Sequence, residues 1–126
     1  MPHVLLEGSA SIPSLQAAHR PFAVREGERL VKVERFYADE RGAAALVETL
    51  VVERALTQRF FILVAARPGG LSVRLEPLTD PEKSPGVKRA LAIVAERLRR
   101  TTGGRYGSTN IPEFLVSGDL PIVEGD

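Results

Sequence analysis

The stretch RFFILVAARPGGLSVRLE, residues 59–76, decides the architecture. Arg59 to Ala66 is apolar at nearly every position, as a central strand covered on both faces is. Pro68-Gly69-Gly70 then turns the chain: proline pre-sets the first turn position and glycine accepts a positive φ at the next. Leu71, Val73 and Leu75 alternate with Ser72, Arg74 and Glu76, the period of a strand with one wet face. Two strands joined by a tight turn form an antiparallel hairpin, and the flanking sequence extends it.

Upstream, residues 30–38 (LVKVERFYA) read as a strand with Val31, Val33 and Tyr37 on one face and Lys32 and Glu34 on the other. The connection DERG at 39–42 offers Gly42 for a positive φ. Residues 43–54 mix alanines, which favour helix, with Val47, Val51 and Val52, which favour strand. The strand-like neighbours on both sides decide for strand. Nearer the N-terminus, Val4 and Leu6 begin a strand that Pro13 ends. Ser14 then caps one or two helical turns over 14–19, which Pro21 stops, and REGER at 25–29 turns around Gly27.

Downstream, prolines 77, 81 and 85 mark a loop into a long helix. Ser84 stands as N-cap with Pro85 at the first helical position, where its fixed φ and missing donor are suited. Val87, Leu91, Val94 and Leu98 recur at helical spacing as one apolar stripe, and Gly103-Gly104 ends the helix. The stripe needs an apolar surface, and the sheet supplies it. The expected fold is α+β: a curved antiparallel sheet of about four or five strands, packed by one long C-terminal helix, with a short helical turn after the first strand. Residues 1–116 make a single domain and 117–126 a mobile acidic tail. That order of elements occurs in several unrelated folds, so function has to come from particular residues.

The chain of 126 residues carries 17 Lys and Arg against 16 Asp and Glu, so net charge alone predicts no polyanion binding. The distribution is uneven. Lys83 to Arg105 holds seven bases against Glu96 alone, and Tyr106 to Asp126 holds four acids and no base. No cysteine is present, which excludes disulfides, thiolate nucleophiles and Cys-based zinc sites. The dominance of Arg over Lys and the scarcity of Asn and Gln lean toward a heat-adapted source. No apolar run approaches the roughly 20 residues of a membrane span, and the N-terminus lacks the pattern of a signal peptide. The expected location is cytoplasmic, with no membrane partner.

Candidate chemistry is sparse. His3 and His19 have no metal-ligand spacing. The carboxylates Asp39, Glu40, Glu34 and Glu76 fall in a turn or on outward strand faces, where acids are normally solvated. No GxSxG elbow occurs. The run GGRYGSTN at 103–110 could cradle a phosphate, but it follows a helix where phosphate loops precede one. No catalytic residue, metal or cofactor is therefore assigned. Lys88, Arg89, Glu96, Arg99 and Arg100 lie off the helix stripe and should face water; with Arg105, the bases form a candidate polyanion site.

Strand 59–66 is apolar on both faces, so something beyond the helix must cover the second. A second copy of the chain would do so, with Val47, Val51 and Phe61 as candidate interface residues. The first functional reading is thus a small non-catalytic binding or assembly domain, a homodimer joined through an apolar sheet face. Two alternatives stand beside it: a nucleic-acid-binding module using the basic helix, and an apolar-ligand cavity between sheet and helix.

Overall fold

The hairpin at 59–76 lies near the middle of an eight-stranded sheet in a computed structural model, which describes residues 1–123. The strands are β1 (His3–Glu7), β2 (Phe22–Glu26), β3 (Arg29–Ala38), β4 (Ala44–Glu53), β5 (Leu56–Arg67), β6 (Gly70–Leu75), β7 (Arg105–Thr109) and β8 (Ile122–Val123). Their order is β7-β1-β6-β5-β4-β3-β2-β8, with each neighbouring pair antiparallel. Helices α1 (Ile12–Ala18) and α2 (Pro85–Thr102) lie inside the curl of this sheet. The α+β class and the antiparallel sheet are as expected; the strand number is not. The strands beyond four or five are short pieces without alternation: β2 is FAVRE, β7 carries Gly107, and β8 is two residues after Pro121.

Alternation sets the two faces. On β4, Ala45, Val47, Thr49 and Val51 point inward and are at most 2% exposed, while Leu46, Glu48, Leu50 and Val52 point outward and are half-buried. On β5, Phe60, Ile62 and Val64 point inward. A register shift between Val33 and Phe36 interrupts β3. The extra residue of such a bulge reverses the facing of everything beyond it. Phe36 therefore joins Val31 and Val33 in the core, and Tyr37 goes to the outer face, contrary to the strict alternation expected for 30–38.

Helix α1 begins two residues earlier than expected. Ser11 is its N-cap, accepting from the Ser14 amide, and Pro13 sits in the first turn rather than breaking the chain. Helix α2 matches its sequence signals: Ser84 Oγ accepts from the Val87 amide at 3.2 Å, and Gly103 ends it with φ 71°. Its stripe of Val87, Leu91, Val94 and Leu98 is buried against the sheet. Ala92, Ile93, Ala95 and Glu96, on other sides of the helix, are buried too.

The C-terminal chain explains that enclosure. From β7 at one sheet edge it runs through a 3₁₀ turn at Pro112–Phe114 to β8 at the opposite edge, crossing the open side of the curl over α2. Ile111 and Val116 of this segment are buried. Residues 122 and 123 of the acidic tail pair with β2; its last part, 124–126, lies outside the described residues. No helix among the described residues is long and apolar enough to cross a membrane.

Candidate functional site

All five bases proposed for polyanion binding have a contact within the chain. The Arg89 guanidinium donates to both oxygens of Glu26 at 3.0 and 2.7 Å and to the Phe114 carbonyl at 2.6 Å. Arg99 donates to both oxygens of Glu96 at 3.0 and 2.9 Å and lies over the Tyr106 ring. Arg100 donates to Glu96 at 2.6 Å and to the Gly118 carbonyl at 2.6 Å. Lys88 stands 5.8 Å from the centre of the Phe114 ring. Arg105 alone reaches broadly into solvent, 3.5 Å from Glu7 on a neighbouring strand. The helix bases thus hold the C-terminal crossing segment and β2 onto α2.

Glu96 is the centre of this arrangement. It was expected to face water, yet its side chain is 3% exposed. A buried carboxylate persists only if its oxygens are satisfied. Arg99, Arg100 and the Tyr106 hydroxyl, which donates at 2.6 Å, supply that satisfaction. Burial disfavours the charged form, but the hydrogen bonds from Arg99, Tyr106 and Arg100 outweigh it and bring the carboxyl down to about 2. Tyr106 moves the other way: its own burial, and then its bond to an anion, push the phenol above its usual range. These four side chains form a structural clamp.

His19, Asp39 and Glu76 are likewise engaged. The His19 imidazole Nε2 is 2.7 Å from the Glu34 carbonyl, and its ring lies against Phe36. Asp39 accepts the Ala43 amide, and Glu76 accepts the amides of Leu78 and Thr79, so both acids cap turns. The glycine-rich run after α2 forms β7, where Thr109 donates to the His3 carbonyl. Among the described residues no cluster of three potential metal ligands occurs. An open cleft of about 600 Å³ lies between the β2–β3 and β4–β5 turns, beside Ser84. Its Glu53 carboxylate is already held at the start of α2, accepting from Ser84 Oγ and from the Gly86 amide at 3.0 Å. Glu26 in the same cleft belongs to Arg89.

Of the three proposed interface residues, Val47 and Val51 lie on the inner face, 1% and 0% exposed beneath α2. They have no surface to offer another chain. Phe61 is on the outer face, as an association surface requires. That face is built in cross-strand rows. Arg74, Leu63, Leu46 and Tyr37 form one row from β6 to β3, and Arg59, Leu50 and Lys32 form another, with Phe61 and Glu48 between them. Tyr37 and Phe61 meet edge to face above β4 with ring centres 6.1 Å apart. Tyr37 is 45% exposed. The nearby ion pairs are long: Arg59 to Glu48 at 3.5 Å and Lys32 to Glu34 at 3.9 Å. Sequence reasoning missed Tyr37 because only the bulge sends it outward.

No protein-family model matches the chain, no curated protein matches it in sequence, and no solved structure matches its fold.

Proposed function

We propose that this chain is a small non-catalytic binding or assembly domain and that its working surface is the outer face of β3–β6. The observation that carries this reading is the half-buried apolar strip of Leu46, Leu50, Phe61 and Leu63 with exposed Tyr37 beside it, while both helices and the C-terminal segment lie on the inner side. Two copies meeting through this strip is the form of assembly that its apolar content favours, because burial of such surface drives association without directional partners. The interior gives the small-ligand reading little support: Phe60, Ile62, Val87 and Leu91, all at most 2% exposed, occupy the space between sheet and helix.

Light scattering on a size-exclusion column tests the assembly form. A dimer that survives high salt and is lost in Phe61→Glu supports it, because apolar association is insensitive to salt and a charge at the strip opposes it. A dimer unchanged in Phe61→Glu would place the interface elsewhere.

A further inference from the structure

Inward-facing side chains of β2–β5 run in cross-strand rows, and the last row, at the end where α2 begins, stays open. Glu26 pairs with Arg29 across β2–β3, and Glu53 pairs with Leu56 across β4–β5. One row deeper, Val24, Val31 and Val51 are sealed. The open row, with Glu28, Arg54 and Ala55 of the two turns and Ser84 before α2, lines the cleft of about 600 Å³. In β-barrels such mouths hold small-molecule sites, where a few polar groups sit in an apolar wall.

The polar groups of this mouth are unequally satisfied. Glu26 accepts from Arg89 at both oxygens, and Glu53 accepts from Ser84 Oγ and from the Gly86 amide. Arg29 is the exception. Its Nε is buried and hydrogen-bonds to nothing among the described residues. The Glu53 carboxylate stands 3.8 Å away, beyond hydrogen-bond reach. A buried donor without an acceptor is costly, and folded chains keep few of them. A ligand oxygen entering the cleft would complete it.

Charge and shape narrow the class of ligand. In and beside the mouth, Arg29, Arg54 and Arg89 balance Glu26, Glu28 and Glu53. A doubly charged phosphate would meet that acidic set at close range, and a single negative charge meets half the repulsion. The guanidinium edge at Nε offers two parallel N–H donors, the match of a carboxylate's two oxygens. Ala55 and Leu56, the latter 41% exposed, give an apolar body something to cover. We propose that the open mouth of the curled sheet binds a small organic monocarboxylate, with Arg29 gripping the carboxylate and Ala55 and Leu56 against its apolar body. This site lies apart from the outer face and does not rest on the reading of that face as the working surface.

Calorimetric titration of the full chain with isocaproate tests this, with isocaproamide and isoamylamine as neutral and cationic controls of like shape. Isocaproate should bind with a Kd of about 1 mM or tighter, and both controls about tenfold more weakly or not at all. In an NMR titration of the parent, the amides of Arg29, Leu56 and Gly86 should shift. Arg29→Met should abolish binding and leave the melting temperature near or above the parent's, because it removes a donor that folding leaves unpaired. Arg29→Lys keeps the charge without the fork and should weaken binding several-fold. Absence of isocaproate binding at roughly 10 mM overturns the proposal. Equal affinity for the amide, binding that survives Arg29→Met, or shifts confined to the outer face overturn it too. Should Arg29→Met not fold, Arg54→Glu on the exposed turn takes its place: weaker binding supports the site, and unchanged binding overturns it. The column experiment judges the outer face separately, and neither result bears on the other.

Discussion

The two faces of β4 are built from nearly the same residues and have opposite roles. Inward, Ala45, Val47, Thr49 and Val51 are sealed beneath α2. Outward, Leu46, Leu50 and Val52 share their face with Glu48, and the charged side chains of flanking strands rise around them. Long arginine and lysine stems cover apolar surface while their heads stay in water. A valine or leucine alone therefore says little about which face it occupies; its cross-strand neighbours say it. Apolar partners mark the closed face, and cations with an exposed aromatic mark the open one.

The sharpest way to break this comparison is to place the same charge on each face. Val51→Glu buries a carboxylate at a position with 0% exposure and no cation opposite. It should cost more than about 4 kcal/mol and unfold a domain of ordinary stability. Phe61→Glu on the next strand should cost less, about 1–2 kcal/mol: it loses the ring contact with Tyr37 and stands opposite Glu48, but the new carboxylate stays hydrated on the open face. Chemical denaturation monitored by circular dichroism measures both. A Val51→Glu variant that melts like its parent would mean that α2 does not close the inner face.

The basic helix sharpens the comparison from a second side. Read from sequence, reversing Arg99 and Arg100 to Glu removes two solvated charges and should hardly affect stability. The structure reverses that expectation, since Glu96 would then be left buried among carboxylates with only Tyr106 as donor. Breaking a buried pair in this way costs about 3–5 kcal/mol. The same clamp gives a pH dependence. The Glu96 carboxyl is lowered from 4.5 to about 2, so its contribution is complete above the unfolded value and is lost as pH falls from about 5 through 2. A shift of that size corresponds to roughly 3 kcal/mol. In Glu96→Gln the acid limb of stability against pH should flatten; an unchanged limb would place the acid sensitivity in other carboxylates.

These cases show what was legible in the sequence. The β5–β6 hairpin and both ends of α2 were readable because their signals are local: Pro68-Gly69, Ser84-Pro85 and Gly103 each fix a backbone conformation by their own chemistry. The bulge in β3 was not, because VERFY offers apolar residues in either phase and the register is set by pairing with β4. Glu96 could not be read as buried: Arg99 and Arg100 in the next turn of α2 look like ordinary surface pairs, and the third partner, Tyr106, comes from β7, which shows no strand period. The candidate site failed for the same reason. Alternation puts Val47 and Val51 on one face of β4, but only the position of α2 reveals that this face is closed and that Phe61 lies on the other. Arg89 looked solvated until Glu26, 63 residues away, was brought to it.

Close approaches at two glycines rank next. A Cβ on Gly70 would lie 1.8 Å from the Leu6 carbonyl oxygen, where β6 passes β1. A Cβ on Gly86 would lie 2.4 Å from the Glu53 carboxyl, which can swing away at the loss of its two bonds to the start of α2. Gly70→Ala should therefore cost at least as much as Gly86→Ala, and the latter about 1–3 kcal/mol. Equal melting temperatures for Gly86→Ala and the parent would show that Glu53 adds nothing at the helix terminus.

The smallest effect separates two contacts of one arginine. Arg100 reaches the crossing segment twice, by a hydrogen bond to the Gly118 carbonyl at 2.6 Å and by an ion pair to Asp119 at 3.8 Å. The two contacts differ in environment more than in distance. The Asp119 side chain is fully exposed, so water and salt screen the pair, and ordering two long side chains offsets what attraction is left. The carbonyl bond is short, charge-assisted and made by a group that the turn at Gly118 already aims at the helix. Asp119→Asn should therefore leave the denaturation midpoint unchanged at any salt concentration, while Arg100→Ala lowers it. Were Asp119→Asn to lower the midpoint as much as Arg100→Ala, and only at low salt, the segment would be held by charge rather than by backbone hydrogen bonding. The acidic C-terminus would then bear on the basic helix as a field instead of through the contacts that enclose α2.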